Sequence, residues 1–488
     1  MPDAPYAALD TNSLTPVVNP VAPPTQPAPP LDLSSPRRLH VIGAAGPGMS
    51  AIALALAQMG HNVSGVDLRE RQVLDRLRAA GVIVNIGHDR NHVVGCDAVT
   101  ASSAIPDTLN ELDEARKLGI PTLSRAGMLA SICAQAKSIA VAGTHGKTTS
   151  SSMLMLILAE AGLRPSFVIG GDVNDMGTGA QWTGGEWFVV EADESDGTHL
   201  ELPLHGTIIT NIDVDHLDLY GTIDGVEAAF DRYLGQIPGP KVVSADDERS
   251  RRVAQRHGAV TFGLGEHADV RAVDLVAHHG AFRFRIERDG RELAAIDLPL
   301  RGEHNVANAT GAFTMAIELG VDPDVAARAL AKFGGVARRF DVRGVDGGAT
   351  FVDDYAHIPT EIDAALRAAR DSGDDWQRIV AVFQPNRYHR MAMMWRDYAH
   401  CFEVADVVVL TDIYASGTTP IPGVTGKLVV NAVLDEHPDT RVVWLPRRDE
   451  LVDYLARNVR AGDVCISMGC GDIASLPDEV LAARRGDA

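Results

Sequence analysis

The stretch Val141-Ala142-Gly143-Thr144-His145-Gly146-Lys147-Thr148-Thr149 constrains this chain more than any other. The apolar run Ser138 to Ala142 predicts a buried strand and Thr148 to Gly162 predicts a helix, so Gly143 to Lys147 must form the turn between them. Backbone N–H groups in such a turn, with the positive end of the following helix, favour anionic oxygens. Lys147 is placed to reach terminal phosphates, and the Thr148 hydroxyl to hold a cation. The general nucleotide-binding pattern has a glycine five positions before Gly146, where this chain has Val141, so the loop is the shorter G-T-x-G-K-T-T variety. A plain glycine turn would explain the glycines but not Lys-Thr-Thr at this spacing. Gly143, Thr144, His145, Gly146, Lys147, Thr148 and Thr149 are therefore the expected nucleotide contacts.

Two acidic segments follow, Glu191-Ala192-Asp193-Glu194-Ser195-Asp196 and Asp213-Val214-Asp215-His216, after apolar runs that predict strands at Trp187 to Glu191 and Thr207 to Asn211. Carboxylates at strand ends beside a phosphate loop suit magnesium, which prefers oxygen ligands in octahedral array. The loop and these acids together describe a magnesium-ATP site, with Glu191 as the main ligand candidate beside Thr148. His216, flanked by Asp215 and Asp218, reads either as a solvated loop residue or as part of a second cation site. A β-rich stretch from Ala259 to Leu300 leads into a helix on which Asn305 and Asn308 share a face. Their amides suit an adenine edge, and helix capping explains Asn305 equally well.

The 488 residues predict about three domains. A formal charge of −21 argues against a nucleic-acid groove or an anionic membrane surface as partner. No apolar run approaches the ~20 residues of a membrane span. The five cysteines are odd in number and scattered, which fits reduced thiols in a cytoplasmic protein. Residues 1–35, crowded with proline and without apolar periodicity, predict a disordered tail that lacks the basic start and apolar core of a secretory signal. The expected division is residues 36–136, 137–336 and 337–488.

Before the phosphate loop, Arg38 to Ile42 predicts a strand running into Gly43-Ala44-Ala45-Gly46-Pro47-Gly48-Met49-Ser50, a helix over Ser50 to Met59, a strand over Asn62 to Val66, and then Asp67. A doubly wound fold holds a nucleotide in this order, diphosphate on the helix N-terminus and ribose hydroxyls on the acid. A plain βα turn is the alternative. The glycines run G-x-x-G-x-G and not G-x-G-x-x-G, so a nicotinamide cofactor is not expected. Ala98 to Ala101 predicts another strand, with Ser102-Ser103 at its carboxyl end. After Arg338-Arg339-Phe340, apolar strands alternate with helical stretches, which predicts another parallel sheet. Asp353-Asp354-Tyr355-Ala356-His357 follows its first strand and Gln384-Pro385-Asn386-Arg387-Tyr388-His389-Arg390 its second. Arginines in such loops are carboxylate or phosphate clamps, or solvated surface charges when isolated.

Taken in order, these motifs resemble the Mur ligases of peptidoglycan synthesis from residue 38 onward. The resemblance implies an α/β chain of three domains: a Rossmann-like N-terminal domain for a UDP-sugar, a central P-loop ATPase domain, and a Rossmann-like C-terminal domain for an incoming amino acid. It implies ATP and Mg2+, with UDP-N-acetylmuramate and L-alanine as substrates: the lactyl carboxylate is phosphorylated, and the amine attacks the acyl phosphate. Lys147, His216 and Arg339 would be catalytic, and Thr148, Glu191 and His216 would hold magnesium. Asn305, Asn308, Arg339 and Asp354 would contact the nucleotide. Gly46, Gly48, Met49, Ser50, Asp67 and Ser103 would face the sugar nucleotide, and Tyr355, His357, Arg387 and Arg390 the amino acid. The chain departs from the family pattern at Ile358, where a second histidine is usual, and at Asn386, also usually histidine. Both bear on acceptor binding. A murein tripeptide ligase and a non-catalytic nucleotide-dependent relative are the alternative readings; a monomer or weak homodimer is expected.

Overall fold

The computed structural model describes residues 29–102, 105–194, 196–214, 217–372 and 374–486. Ser103, Asp215, His216 and the proline-rich stretch through residue 28 lie outside the described residues.

Three sheets follow one another along the chain. The first contains β1 (Arg38–Ile42), β2 (Asn62–Asp67), β3 (Ile83–Ile86), β4 (Ala98–Ala101) and β5 (Thr122–Ser124), all parallel in the order β3-β2-β1-β4-β5. The strand order reverses between β1 and β4, the position at which open α/β sheets bind ligands. Gly43 and Ser102 leave the sheet there.

The central sheet has β6 (Lys137–Ala142), β7 (Ser166–Val173), β8 (Thr178–Gln181), β9 (Trp187–Glu191), β10 (Gly206–Ile209), β11 (Lys241–Ser244), β12 (Val260–Gly263), β13 (Val270–His278), β14 (Ala281–Arg288) and β15 (Arg291–Leu298). Their order is β15-β14-β13-β12-β11-β10-β6-β9-β7-β8. Ile139, Ala140, Val141 and Ala142 on β6 are fully buried, as a parallel strand covered on both faces requires. The helix Lys147–Glu160 packs on this sheet although it begins with hydroxyl residues. Ser151 and Ser152 donate to the carbonyls of Lys147 (2.8 Å) and Thr148 (2.7 Å), so their burial leaves no hydroxyl unpaired.

The third sheet contains β16 (Asp341–Asp346), β17 (Ala349–Asp354), β18 (Arg378–Phe383), β19 (Val407–Leu410), β20 (Val442–Trp444) and β21 (Asp463–Met468), ordered β16-β17-β21-β18-β19-β20. It is parallel except for the edge strand β16, which pairs antiparallel with β17. That edge strand corrects the all-parallel expectation. Gly347 and Gly348, both with positive φ, form the tight turn that makes the hairpin. The hairpin β7–β8 is a second addition, because Gly170-Gly171 breaks the apolar alternation by which a strand is read. The first helix begins at Pro47 and not at Ser50: Gly46 caps it, and proline at the first helical position loses no hydrogen bond. Among the described residues, no helix is long and apolar enough to cross a membrane.

Candidate active site

The loop from Gly143 to Lys147 leaves the carboxyl end of β6, between β9 and β10. Gly143 (φ +125°) and Gly146 (φ +81°) take conformations that side chains disfavour, and a Cβ would stand 2.2 Å from Thr210 Oγ1 or 2.3 Å from Asn308 Oδ1. The loop is clamped from the end of β10. Asn211 accepts from His145 N (2.9 Å) and donates from Nδ2 to His145 O (3.1 Å), and Thr210 Oγ1 donates to the same carbonyl. Asp213 N donates to Thr144 Oγ1 (3.0 Å). The sequence places Thr210 and Asn211 at the end of a strand beside the loop but gives them no role; the fold makes them its clamp.

Lys147 Nζ donates to Gly143 O (2.6 Å) and Thr144 O (3.2 Å) and sits 3.0 and 2.9 Å from the two oxygens of Glu194. Burial disfavours the charge on Lys147, but Glu194 and Asp193 more than offset it and raise its pKa. Burial pushes the Glu194 carboxyl up to about 7 against the pull of the lysine. The lysine is therefore charged and held at the loop by an acid that gives up its charge easily. Glu191, at the end of β9, has a buried Oε1 without a hydrogen-bond partner among the described residues. Gly170 makes room for it, since a Cβ there would lie 2.6 Å from Glu191 Oε2.

His145 points the other way, toward the third sheet. Its Nε2 lies 3.1 Å from Asp213 Oδ2 and its Nδ1 3.2 Å from Glu361 Oε1. Glu361 stands in the first turn of the helix Pro359–Arg370 and accepts from His357 N (3.0 Å), a capping arrangement that fixes its carboxylate. Burial opposes the charge on His145, but the two carboxylates raise its pKa from 6.5 to about 9. A raised histidine pKa contributes stability that is complete below the unfolded value and is lost as pH rises through the folded one. Denaturant midpoints of the nucleotide-free protein should therefore fall between pH 6.5 and about 9. His145→Asn should flatten that slope; an unchanged slope would remove the charged pair.

Between His145 and the third sheet lies a cavity of about 370 Å3 lined by Gly146, Thr149, Asn305, Asn308, Arg339 and Asp354, among others. All were expected at the nucleotide, and the fold brings them to one space. Asn308 Nδ2 donates to Asn305 Oδ1 (3.2 Å), and Asn305 Nδ2 reaches back to Arg301 O (2.7 Å). The helix Glu303–Glu318 is capped at Gly302, so the capping explanation of Asn305 does not hold. Asp354 accepts from Phe340 N and Ala356 N, both at 2.7 Å, which aligns its carboxylate at the cavity wall. Arg338 (φ +65°) and Phe340 (φ +47°) give the connection into the third sheet two left-handed residues without glycine. Arg338 is held by Asp353 (3.0 Å) and Gly469 O (2.8 Å).

At the first sheet, Gly43 N donates to Val66 O (2.9 Å) and Ala45 N to Asp67 Oδ2 (3.0 Å), so Asp67 braces the glycine turn. Gly46, Gly48, Met49 and Ser50 form the turn and the helix start. Arg125, which the sequence reading passed over, abuts this turn: a Cβ on Gly48 would lie 3.4 Å from its Cδ. Its guanidinium reaches Asp196 Oδ2 (2.7 Å) and Thr198 Oγ1 (3.1 Å) in the acidic loop after β9. At the third sheet, the rings of Tyr355 and His357 meet edge to face at 5.4 Å, and the Arg338 and Arg339 guanidinium groups lie 4.9 and 5.2 Å from the Tyr355 ring. Burial raises the pKa of the Cys470 thiol, while the charges of Arg390, Arg387 and Arg338 pull it down. Arg387 is exposed and holds φ +59° at the start of the helix Tyr388–Met394. Asn386 is buried and accepts from Arg390 Nη1 (3.2 Å), so this departure orients an arginine. Ile358 is buried at 2% exposure at the start of the helix Pro359–Arg370, an apolar contact in place of a polar group.

Residues 38–137 match the model of the Mur ligase family catalytic domain, 141–316 the Mur ligase middle domain, and 338–471 the Mur ligase glutamate ligase domain. Similar proteins include two named UDP-N-acetylmuramate--L-alanine ligase. The one from Acidothermus cellulolyticus is 42% identical over 93% of this chain and 97% of its own. The one from Rubrobacter xylanophilus is 42% identical over 91% and 99%. The crystal structure of the UDP-N-acetylmuramate-alanine ligase of Thermotoga maritima matches with a TM-score of 0.79 at 27% identity, covering 93% of this chain and all (100%) of that one. A murein peptide ligase from Psychrobacter arcticus shares the fold, with a TM-score of 0.68 at 24% identity over 92% and 98% of the two chains.

Proposed function

The chain belongs to the Mur ligase family, and from that premise we propose that it joins L-alanine to the lactyl carboxylate of UDP-N-acetylmuramate, converting ATP to ADP and phosphate, in cytoplasmic peptidoglycan precursor synthesis. One observation carries the reading: the phosphate loop and the acidic strand end beside it are tied to both neighbouring sheets, through Arg125 to Asp196 at 2.7 Å on one side and His145 to Glu361 at 3.2 Å on the other. A ligase that brings a sugar nucleotide, ATP and an amino acid to one centre needs such a junction. In this reading residues 36–136 hold the sugar nucleotide, 137–336 ATP and 337–488 the amino acid.

The adenine base occupies the cavity beside Asn305 and Asn308, with Asp354 on the ribose and Arg339 on the phosphates. Thr148 and Glu191 suit magnesium, since the partnerless buried oxygen of Glu191 is an acceptor that a hard cation satisfies; His216 would join them. When bound, that ion neutralises charge on the transferring phosphoryl group. Lys147 exchanges the Glu194 carboxylate for phosphate oxygens and stabilises the charge that develops as the lactyl carboxylate attacks. The glycine turn at Gly46 to Ser50 carries the diphosphate on its helix N-terminus, and Asp67 faces the ribose. Arg387 and Arg390 hold the alanine carboxylate, leaving its amine free to attack the acyl phosphate, with Tyr355 and His357 beside it. The latch at His145 closes the third unit over this intermediate and excludes water.

Phosphate release should require UDP-N-acetylmuramate and L-alanine together. Equal turnover with a tripeptide acceptor would move the assignment to a recycling ligase, and release independent of any acceptor would remove ligase activity.

A further inference from the structure

His40 lies on β1, His88 and His92 in and beside the short helical turn Arg90–Val93, and Glu111 on the helix Asn110–Lys117. Glu111 is fully buried. Its ion-pair partners among the described residues are these three histidines, with no arginine or lysine. His88 Nδ1 lies 2.7 Å from Oε2 and His92 Nδ1 2.7 Å from Oε1. His40 is different. Its Nδ1 meets Ser64 Oγ at 2.8 Å, and that hydroxyl donates onward to Leu39 O at 3.4 Å. In the tautomer with the proton on Nδ1, His40 donates to Ser64 Oγ, the hydroxyl is turned toward Leu39 O, and Nε2 keeps its lone pair. Among the described residues that Nε2 is buried without a hydrogen-bond partner, and it faces Glu111 Oε1 at 3.8 Å. In that tautomer a buried nitrogen lone pair confronts a carboxylate oxygen, an arrangement that a cation between them satisfies.

We propose that His40 Nε2, His92 Nδ1 and Glu111 bind one divalent transition-metal ion of the zinc class, a site separate from the magnesium-ATP centre. The three ligand atoms lie within 4.8 Å of one another, and small adjustments bring them around a single ion. Two imidazoles and a carboxylate are a donor set that zinc accepts in tetrahedral coordination with water completing it, and that magnesium, with its preference for oxygen, does not. The Ser64 contact is the outer support that fixes the tautomer of a liganding histidine, and His88 supports the second oxygen of Glu111 in the same way. The ion would fasten β1, which runs directly into the Gly43 turn, to two later segments of the same unit, and so stiffen the sugar-nucleotide site from behind.

The test is titration of the full chain, stripped with chelator and free of nucleotide, with Zn2+ and separately with Co2+. His400, Glu403 and the half-buried His437 form a second cluster of possible ligands at the surface, so the titration is repeated in His400→Ala. One tight equivalent that persists in His400→Ala, gives the visible absorption of four-coordinate cobalt, and raises the melting temperature is expected. His92→Ala should lose that equivalent. Ser64→Ala, which removes no ligand, should weaken it about 10- to 100-fold, and it decides the matter if His92→Ala fails to fold. Absence of a tight equivalent, or binding unchanged in both variants, overturns the proposal and leaves a histidine network around Glu111.

Discussion

Replacing Lys147 by alanine is expected to lower kcat at least ~100-fold, the scale of losing one preorganised electrostatic contact to a transition state. The surroundings of the lysine allow this to be measured on a folded protein. Its main partner, Glu194, is buried at 2% exposure, and an ionised carboxylate left there alone would be costly. Burial has already pushed that carboxyl up to about 7 with the lysine present, so without it the group takes a proton near neutral pH and stays neutral. Most of the penalty is thereby avoided, and the variant should melt as one cooperative unit. Steady-state phosphate release with both substrates, alongside a melting curve, checks both halves. An unchanged kcat would remove Gly143 to Thr149 as the phosphoryl-transfer centre. A collapsed melting transition would show that Glu194 stays ionised, and Lys147→Ala combined with Glu194→Gln would then restore folding without restoring turnover.

What could be read from the sequence follows from how local each feature is. The strand, loop and helix around Lys147 are set by contiguous residues, apolar periodicity on one side and two glycines of special conformation on the other, and they fold as expected. The strands at Arg38–Ile42, Ala98–Ala101 and Trp187–Glu191 match the expected bounds for the same reason. The edge hairpins were missed because a two-strand ribbon with one exposed face has a weak apolar signal: β16 buries none of its six residues deeply. Contacts between units were the least legible. Arg125 and Glu361 sit in ordinary helical contexts, and nothing within ten residues of either reveals that it meets Asp196 or His145. Only the packing of the sheets brings them together. The same holds for Asn386 and Ile358, read as departures from a pattern: the fold pairs the first with Arg390 and buries the second, which a one-dimensional comparison does not disclose.

Arg387→Ala is expected to raise the KM for L-alanine about 10- to 100-fold, the equivalent of the ~1.5 to 3 kcal/mol carried by a hydrogen bond to a charged group, with the KM for ATP little changed. The side chain is exposed, and among the described residues no hydrogen bond or ion pair holds its guanidinium, so its loss should leave stability intact. Its backbone is another matter. The φ of +59° is a conformation that side chains disfavour, held by Arg387 N donating to Tyr414 O at 2.9 Å. In the proposed reading, that backbone aims the guanidinium at the amino acid. Arg387→Gly relaxes that conformation while deleting the same guanidinium, so the two variants separate the charge from the aim. Equal loss of alanine affinity in both would assign the effect to the charge. A KM for ATP that rose in step with that for alanine would instead place Arg387 at the nucleotide, and the third sheet would lose its role as the amino-acid unit.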